Sequence, residues 1–205
     1  MDRLVRKEGE SERVVSGGIS CLYFYLYLLC MTGFLRRVRV LDLALIFSVH
    51  ILILSVYLLP EPVQALLVLD YADPSVFTLW SSAFVHQGSA HLSQTLQAYT
   101  VAVLPVYLWF VLAGRTQFFR YMFAGFLTLL PIIISIINLS VLSLGTGKGL
   151  SGIVSAFYGV LPFALFLYIH TQISTEVEPS YSTAVFITGL AYTSATASGL
   201  FAGIA

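Results

Sequence analysis

Ser151 is the residue whose surroundings first suggest chemistry. It stands in the stretch Gly149-Leu150-Ser151-Gly152, between a glycine-rich loop and a long apolar run. A serine in such a place can cap a helix, pack as a small residue, or act as a nucleophile once its proton is removed. The rest of the sequence must distinguish these three interpretations.

Histidine is the side chain best suited to exchange a proton with serine near neutral pH. His86 and His91 stand five residues apart in a polar stretch that opens an apolar segment. His170 lies at the far end of the segment that Ser151 begins, about 28 Å away in a helix that rises 1.5 Å per residue. His50 is alone in an apolar run, where we expect it to hydrogen-bond to a neighbouring helix.

A metal site is the competing explanation for the histidine pair. Asp70 and Asp73 are the nearest carboxylates in the sequence, and Cys21 and Cys30 share one apolar run whose spacing fits neither a disulfide framework nor a metal site. We therefore expect no metal ion and no cofactor.

The composition identifies the surroundings of these residues. Of 205 residues, 58% are hydrophobic and 10% are charged, and the mean hydropathy is +0.90. In soluble domains roughly a quarter of all residues are charged. Because this chain has far fewer, lipid must surround much of it. The composition predicts an all-α, polytopic transmembrane helical bundle with membrane lipids as partners. The formal net charge of zero argues against nucleic acid.

Apolar segments of about 20 residues predict the helices. A polar N-terminal tail at 1–16 precedes an additional transmembrane or interfacial helix within 17–36. Counting that helix, six segments are expected, at about 18–35, 40–60, 92–113, 119–142, 152–172 and 182–205. The connection 61–90 is apolar enough to be an amphipathic connector or a membrane-embedded loop, with Trp80 at the interface.

Positive charge orients these segments. Two predicted connections are basic, and the positive-inside rule places both on the cytoplasmic side; they carry Arg36, Arg37, Arg39, Arg115 and Arg120. The connections 61–90 and 143–150 then lie on the outer side. His86, His91 and Ser151 should therefore meet at one membrane depth.

Small residues recur after Ser151 at helical spacing. Ser155 and Gly159 continue a stripe down one face of the predicted helix. Such stripes allow another helix to approach closely.

At these residues the chain resembles the rhomboid family of intramembrane serine proteases. Rhomboids carry a histidine pair followed by leucine at the head of a helix, as in HQGSAHL, and a Gly-x-Ser-Gly sequence two spans later, as in GLSG. Gly159 falls where the family keeps a packing glycine. The resemblance covers about residues 40–205 and implies a rhomboid-like membrane domain.

The resemblance implies an integral, multi-pass protein of the prokaryotic plasma membrane that cleaves transmembrane substrate proteins near the outer face. Ser151 would be the nucleophile, His91 would stabilise the oxyanion, and Thr95 stands where the family has an oxyanion-donating asparagine. The residues implied to support the site are His86, Gly149, Gly152 and Gly159.

The general base is the main departure from the family pattern. Rhomboids place that histidine on the last core helix, and the nearest match here puts Thr196 at its position. Because only one predicted span follows the serine helix, we expect a C-terminally incomplete sequence whose last core helix is absent. The alternatives are a rearranged dyad or a catalytically inactive homologue that binds membrane-protein clients.

Overall fold

A computed structural model describes residues 38–142 and 144–189. The predicted tail at 1–16, the additional helix within 17–36 and the part of the last segment after 189 lie outside the described residues. The account below concerns the unit that begins at Val40.

The described part of the chain is mostly helical, and its elements are numbered here in chain order. The helices are α1 (Val40–Tyr57), α2 (Glu61–Ala65), α3 (Val76–Ser81), α4 (Ser89–Leu112), α5 (Thr116–Thr128), α6 (Leu130–Val141) and α7 (Ser151–Gln172). A 3₁₀ turn spans Ser82–Phe84, residues 181–189 are helical, and two short strands are β1 (Leu69–Asp70) and β2 (Thr146–Gly147).

Four of the described segments are long and apolar enough to cross a membrane: α1, α4, α5 together with α6, and α7. Many of their large apolar side chains are exposed, which suits contact with lipid rather than water. The described chain is thus an all-α helical bundle with the character of a membrane protein.

The segment predicted as one helix at 119–142 is two helices. It begins at Thr116 and breaks at Leu129, because Pro131 cannot donate a backbone hydrogen bond and its ring conflicts with the carbonyl of residue 127. The freed carbonyl of Leu127 accepts a 2.8 Å hydrogen bond from the indole N–H of Trp80. Trp80 therefore holds the long connection against the helix break.

α4 is the central helix and makes its most extensive packing with α7. It begins at Ser89, earlier than the apolar pattern predicts, because the polar residues before its apolar part form its first turns. On its other side, the Tyr99 hydroxyl donates to the backbone of Ile46 in α1 at 3.1 Å. His50 Nε2 lies 2.8 Å from Thr100 Oγ1, which confirms the expected bond between helices.

An ion pair with a buried carboxylate and a partly exposed guanidinium joins α1 to α5. The Asp42 carboxylate is inaccessible and receives two hydrogen bonds from the Arg120 guanidinium, at 2.6 and 3.0 Å. The Tyr107 hydroxyl of α4 donates to the same carboxylate at 3.3 Å. The buried Asp42 carboxylate is tolerated because Arg120 pairs with it and Tyr107 donates a hydrogen bond to it.

The long connections meet at one end of the bundle, which we call the loop end and define by residues 61–88 and 144–150. β1 pairs antiparallel with β2. The N–H of Gly149 donates to the carbonyl of Ser82 at 3.0 Å, and Lys148 Nζ donates to Gln87 Oε1 at 2.6 Å. The two connections thus lie together, as the charge pattern predicts, and the first of them is folded against the helices.

Candidate active site

Ser151 is the first residue of α7. The N-cap is Leu150, and no side chain caps this helix end, so capping is not the reason for a serine here. The first intrahelical bond of the segment runs from the N–H of Val154 to the carbonyl of Leu150, which leaves the N–H groups of the first turn without helical partners. Ser151 is exposed, at the positive end of the helix dipole.

Gly149 gives the chain its path into α7. Its φ of 110° lies in the left-handed region that side chains disfavour. A Cβ added there would lie 3.7 Å from His91 Nε2, so this imidazole nitrogen rests directly against the residue two before Ser151. The structure therefore brings His91 to the loop that precedes the serine.

His86 supports the loop rather than the serine. It is 2% exposed, and its Nδ1 lies 3.3 Å from the carbonyl of Phe84, an arrangement in which Nδ1–H donates. Its Nε2 is buried and has no hydrogen-bond partner among the described residues. Burial, reinforced by the nearby His91, lowers the pKa of His86, which favours the neutral imidazole. The two rings lie 5.6 Å apart between centroids.

A cavity of about 200 Å³ opens beside Ser151, between α6, α7 and the loop end. Asn138 and Tyr71 line it together with Ser151 and Gly152. Thr95, His86 and His91 are not among the described residues that line it. Thr95 is 7% exposed on α4, so the structure does not bring it to this cavity.

His86 faces a different cavity, of about 480 Å³, lined also by Glu61, Gln64 and Gln87. Lys148 lines both cavities and so marks their boundary. His86 and Ser151 therefore open onto separate spaces.

The glycines of α7 make the close approaches that their positions predict. A Cβ on Gly152 would collide with the Cδ1 of Ile134 in α6. A Cβ on Gly159 would lie 3.3 Å from Phe186, in the helical segment 181–189. Gly152 thus allows α6 to approach α7, and Gly159 of the small-residue stripe allows the segment 181–189 to approach it.

The remaining histidines are occupied elsewhere. His50 contacts Thr100, and His170 Nδ1 lies 3.1 Å from the carbonyl of Val177. Within the described ranges, no hydrogen bond joins the Ser151 hydroxyl to a histidine, and no three His, Cys, Asp or Glu side chains form a metal-binding group. The site thus consists of an exposed serine, an adjacent imidazole and an amide-bearing cavity.

Asn138 is the site residue that sequence reasoning missed. It lies in the apolar run PIIISIINLSV, where an uncharged amide is easily taken as helix packing. The sequence feature that could have revealed it is a strongly polar side chain within an apolar segment, on the helix that precedes the serine helix.

Comparisons with known proteins add nothing to this description. No protein-family model, curated protein or solved structure matches the chain at a significant level.

Proposed function

We propose that the chain is an intramembrane serine endopeptidase of the rhomboid type. It would be a multi-pass protein of the prokaryotic plasma membrane that cleaves transmembrane substrate proteins near the outer face. The observation that carries the proposal is the setting of Ser151, an exposed and uncapped first residue of α7 beside a cavity, with His91 against the neighbouring Gly149.

The proposed chemistry follows from that setting. Ser151 Oγ would attack the scissile carbonyl and give up its proton, which the nitrogen of the scissile peptide bond takes up as that bond breaks. The amine leaves, and water then hydrolyses the acyl-enzyme to a carboxylic acid and restores the Ser151 hydroxyl. The free N–H groups of the first turn of α7, with His91, would stabilise the negative oxygen of the tetrahedral intermediate. We assign no general base among the four histidines of the chain.

A second candidate function is a catalytically inactive rhomboid-like protein that binds membrane-protein clients. Two observations favour it. In the described residues the Ser151 hydroxyl has no bond to a histidine, and Thr95 replaces the asparagine of the rhomboid pattern while lying outside the serine cavity.

A fluorescent fluorophosphonate, which reacts covalently with activated serines, tests the proposal. The full chain in membranes should be labelled, and Ser151→Ala should abolish the labelling. Ser155→Ala is the matched control, since Ser155 is an exposed serine one turn further along α7 and should leave labelling intact.

Labelling that persists in Ser151→Ala, or its absence from the unmodified chain, contradicts the protease proposal. In the second case, client proteins that co-purify equally with the unmodified chain and with Ser151→Ala would support the binding function instead.

A further inference from the structure

We infer that Asn138 is the side-chain amide that donates a hydrogen bond to the oxyanion formed at Ser151, a role that the resemblance to rhomboids implies for the position of Thr95. The inference rests on the proposed function. It identifies a catalytic group on α6, a helix that sequence reasoning connected with no chemistry.

The packing of α6 against α7 places Asn138 near the serine. Ile134 of α6 packs directly against Gly152, the residue next to Ser151, since a Cβ on Gly152 would collide with Ile134 Cδ1. Asn138 follows Ile134 by four residues, so it lies on the same face of α6 and about 6 Å further along the helix axis. α6 runs toward the loop end, and α7 begins there. Moving along α6 from Ile134 to Asn138 therefore approaches the end of α7 at which Ser151 lies.

The amide of Asn138 is available for a ligand. Its backbone carbonyl accepts from the N–H of Leu142 at 2.7 Å, but its side chain makes no hydrogen bond within the described ranges. The nearby Ser135 hydroxyl, by contrast, already donates to the carbonyl of Leu79 at 2.8 Å. Asn138 is partly exposed and lines the cavity beside Ser151, so it can offer its N–H groups to a bound carbonyl.

The chemistry of the cavity favours a donor in this place. The addition of Ser151 Oγ to a carbonyl moves an electron pair onto the carbonyl oxygen, which becomes negative. The first turn of α7 and Asn138 both line this cavity, so the N–H groups of that turn and the Asn138 amide can donate to the same oxygen. Loss of one such donor lowers the rate of the chemical step by roughly 10²–10³-fold.

Saturation kinetics of fluorophosphonate labelling test the inference on the full chain. Asn138→Leu keeps the approximate size but lacks the donor, and should lower the maximal labelling rate by roughly 10²–10³-fold. The probe concentration for half-maximal rate should stay unchanged. Asn138→Gln retains an amide N–H and should recover part of the rate.

Ser140→Ala is the matched control on the same helix, because among the described residues the Ser140 hydroxyl bonds only to its own turn, donating to the carbonyl of Ile137 at 2.6 Å. It should label at the rate of the unmodified chain. If Asn138→Leu lowers the melting temperature, Asn138→Asp is the variant to use instead. It keeps the shape of the side chain but lacks the N–H donor, so its maximal labelling rate should be as low as that expected for Asn138→Leu.

The outcomes separate this inference from the proposed function. If Ser151→Ala keeps its label, the protease proposal fails. If labelling depends on Ser151 but the folded Asn138 variants react at the unmodified rate, the inference alone is overturned. The inference is also overturned if Thr95→Val, rather than Asn138→Leu, lowers the maximal labelling rate.

Discussion

At the scale of single residues, position on a helix end decides what each polar group can do. Ser151 begins α7 without a cap, and His91 Nε2 lies 3.7 Å from the place that a Cβ on Gly149 would take. His86 shares the sequence stretch of His91, yet it is buried and bonded to Phe84. Two neighbouring histidines therefore have different surroundings.

His86 makes the stability of the protein sensitive to acid. Because its pKa is lowered in the folded chain from an ordinary value of 6.5, the unfolded chain binds the proton first as pH falls. The contribution of neutral His86 to stability is present above about pH 6.5 and is lost below it. Thermal unfolding in detergent at pH 7.5 and at pH 5.5 should show this loss.

His86→Asn is the variant for that measurement, because an amide N–H can still donate to the carbonyl of Phe84 and does not titrate in this range. The variant should lose less stability between the two pH values than the unmodified chain. An equal loss in both proteins would show that His86 is not the group responsible.

At the scale of elements, hydropathy predicted which segments could cross a membrane but not where a helix within such a segment breaks. The apolar runs at α1 and α7 match the observed helices closely because length and apolarity decide a span. The break before α6 was missed because hydropathy does not register the lost hydrogen bond of Pro131. The place of Asn138 was missed for a similar reason, since it depends on the packing of α6 against α7.

The approach of α6 to α7 predicts a specific stability change. Gly152→Ala places a methyl group against Ile134 Cδ1 and should destabilise the fold by about 1–3 kcal/mol. Ile134→Val removes that atom, so the double variant should be more stable than the sum of the two single effects. Thermal unfolding in detergent measures each protein.

Gly125→Ala is the control for the glycine substitution. Nothing lies within 4 Å of a Cβ added at Gly125 in α5, so alanine should be neutral or should stabilise the helix by up to about 1 kcal/mol. Additive effects of Gly152→Ala and Ile134→Val would contradict the close packing described here.

At the scale of the whole molecule, the described bundle gathers its polar connections at one end. The pairing of β1 with β2 joins segments that are far apart in the sequence, which no local pattern could have predicted. The charge pattern nevertheless predicted that the two connections share a side, because basic residues mark the opposite side. The site therefore opens at the loop end, which the same rule places outside.

Cysteine labelling tests this orientation. In a Cys21→Ser, Cys30→Ser background, Lys148→Cys should react with a membrane-impermeant maleimide on intact cells, because Lys148 is exposed at the loop end. Arg115→Cys, exposed between α4 and α5, should react only after permeabilisation. The reverse pattern would place the site on the cytoplasmic side.

The central claim is that Ser151 is a nucleophile, and the most direct measurement is the site of a fluorophosphonate adduct, located by mass spectrometry of the labelled chain. We expect the phosphonyl group on the peptide that contains Ser151, with the adduct absent from Ser151→Ala and retained in Ser155→Ala. An adduct on another residue, or no adduct on the folded chain, would contradict the account.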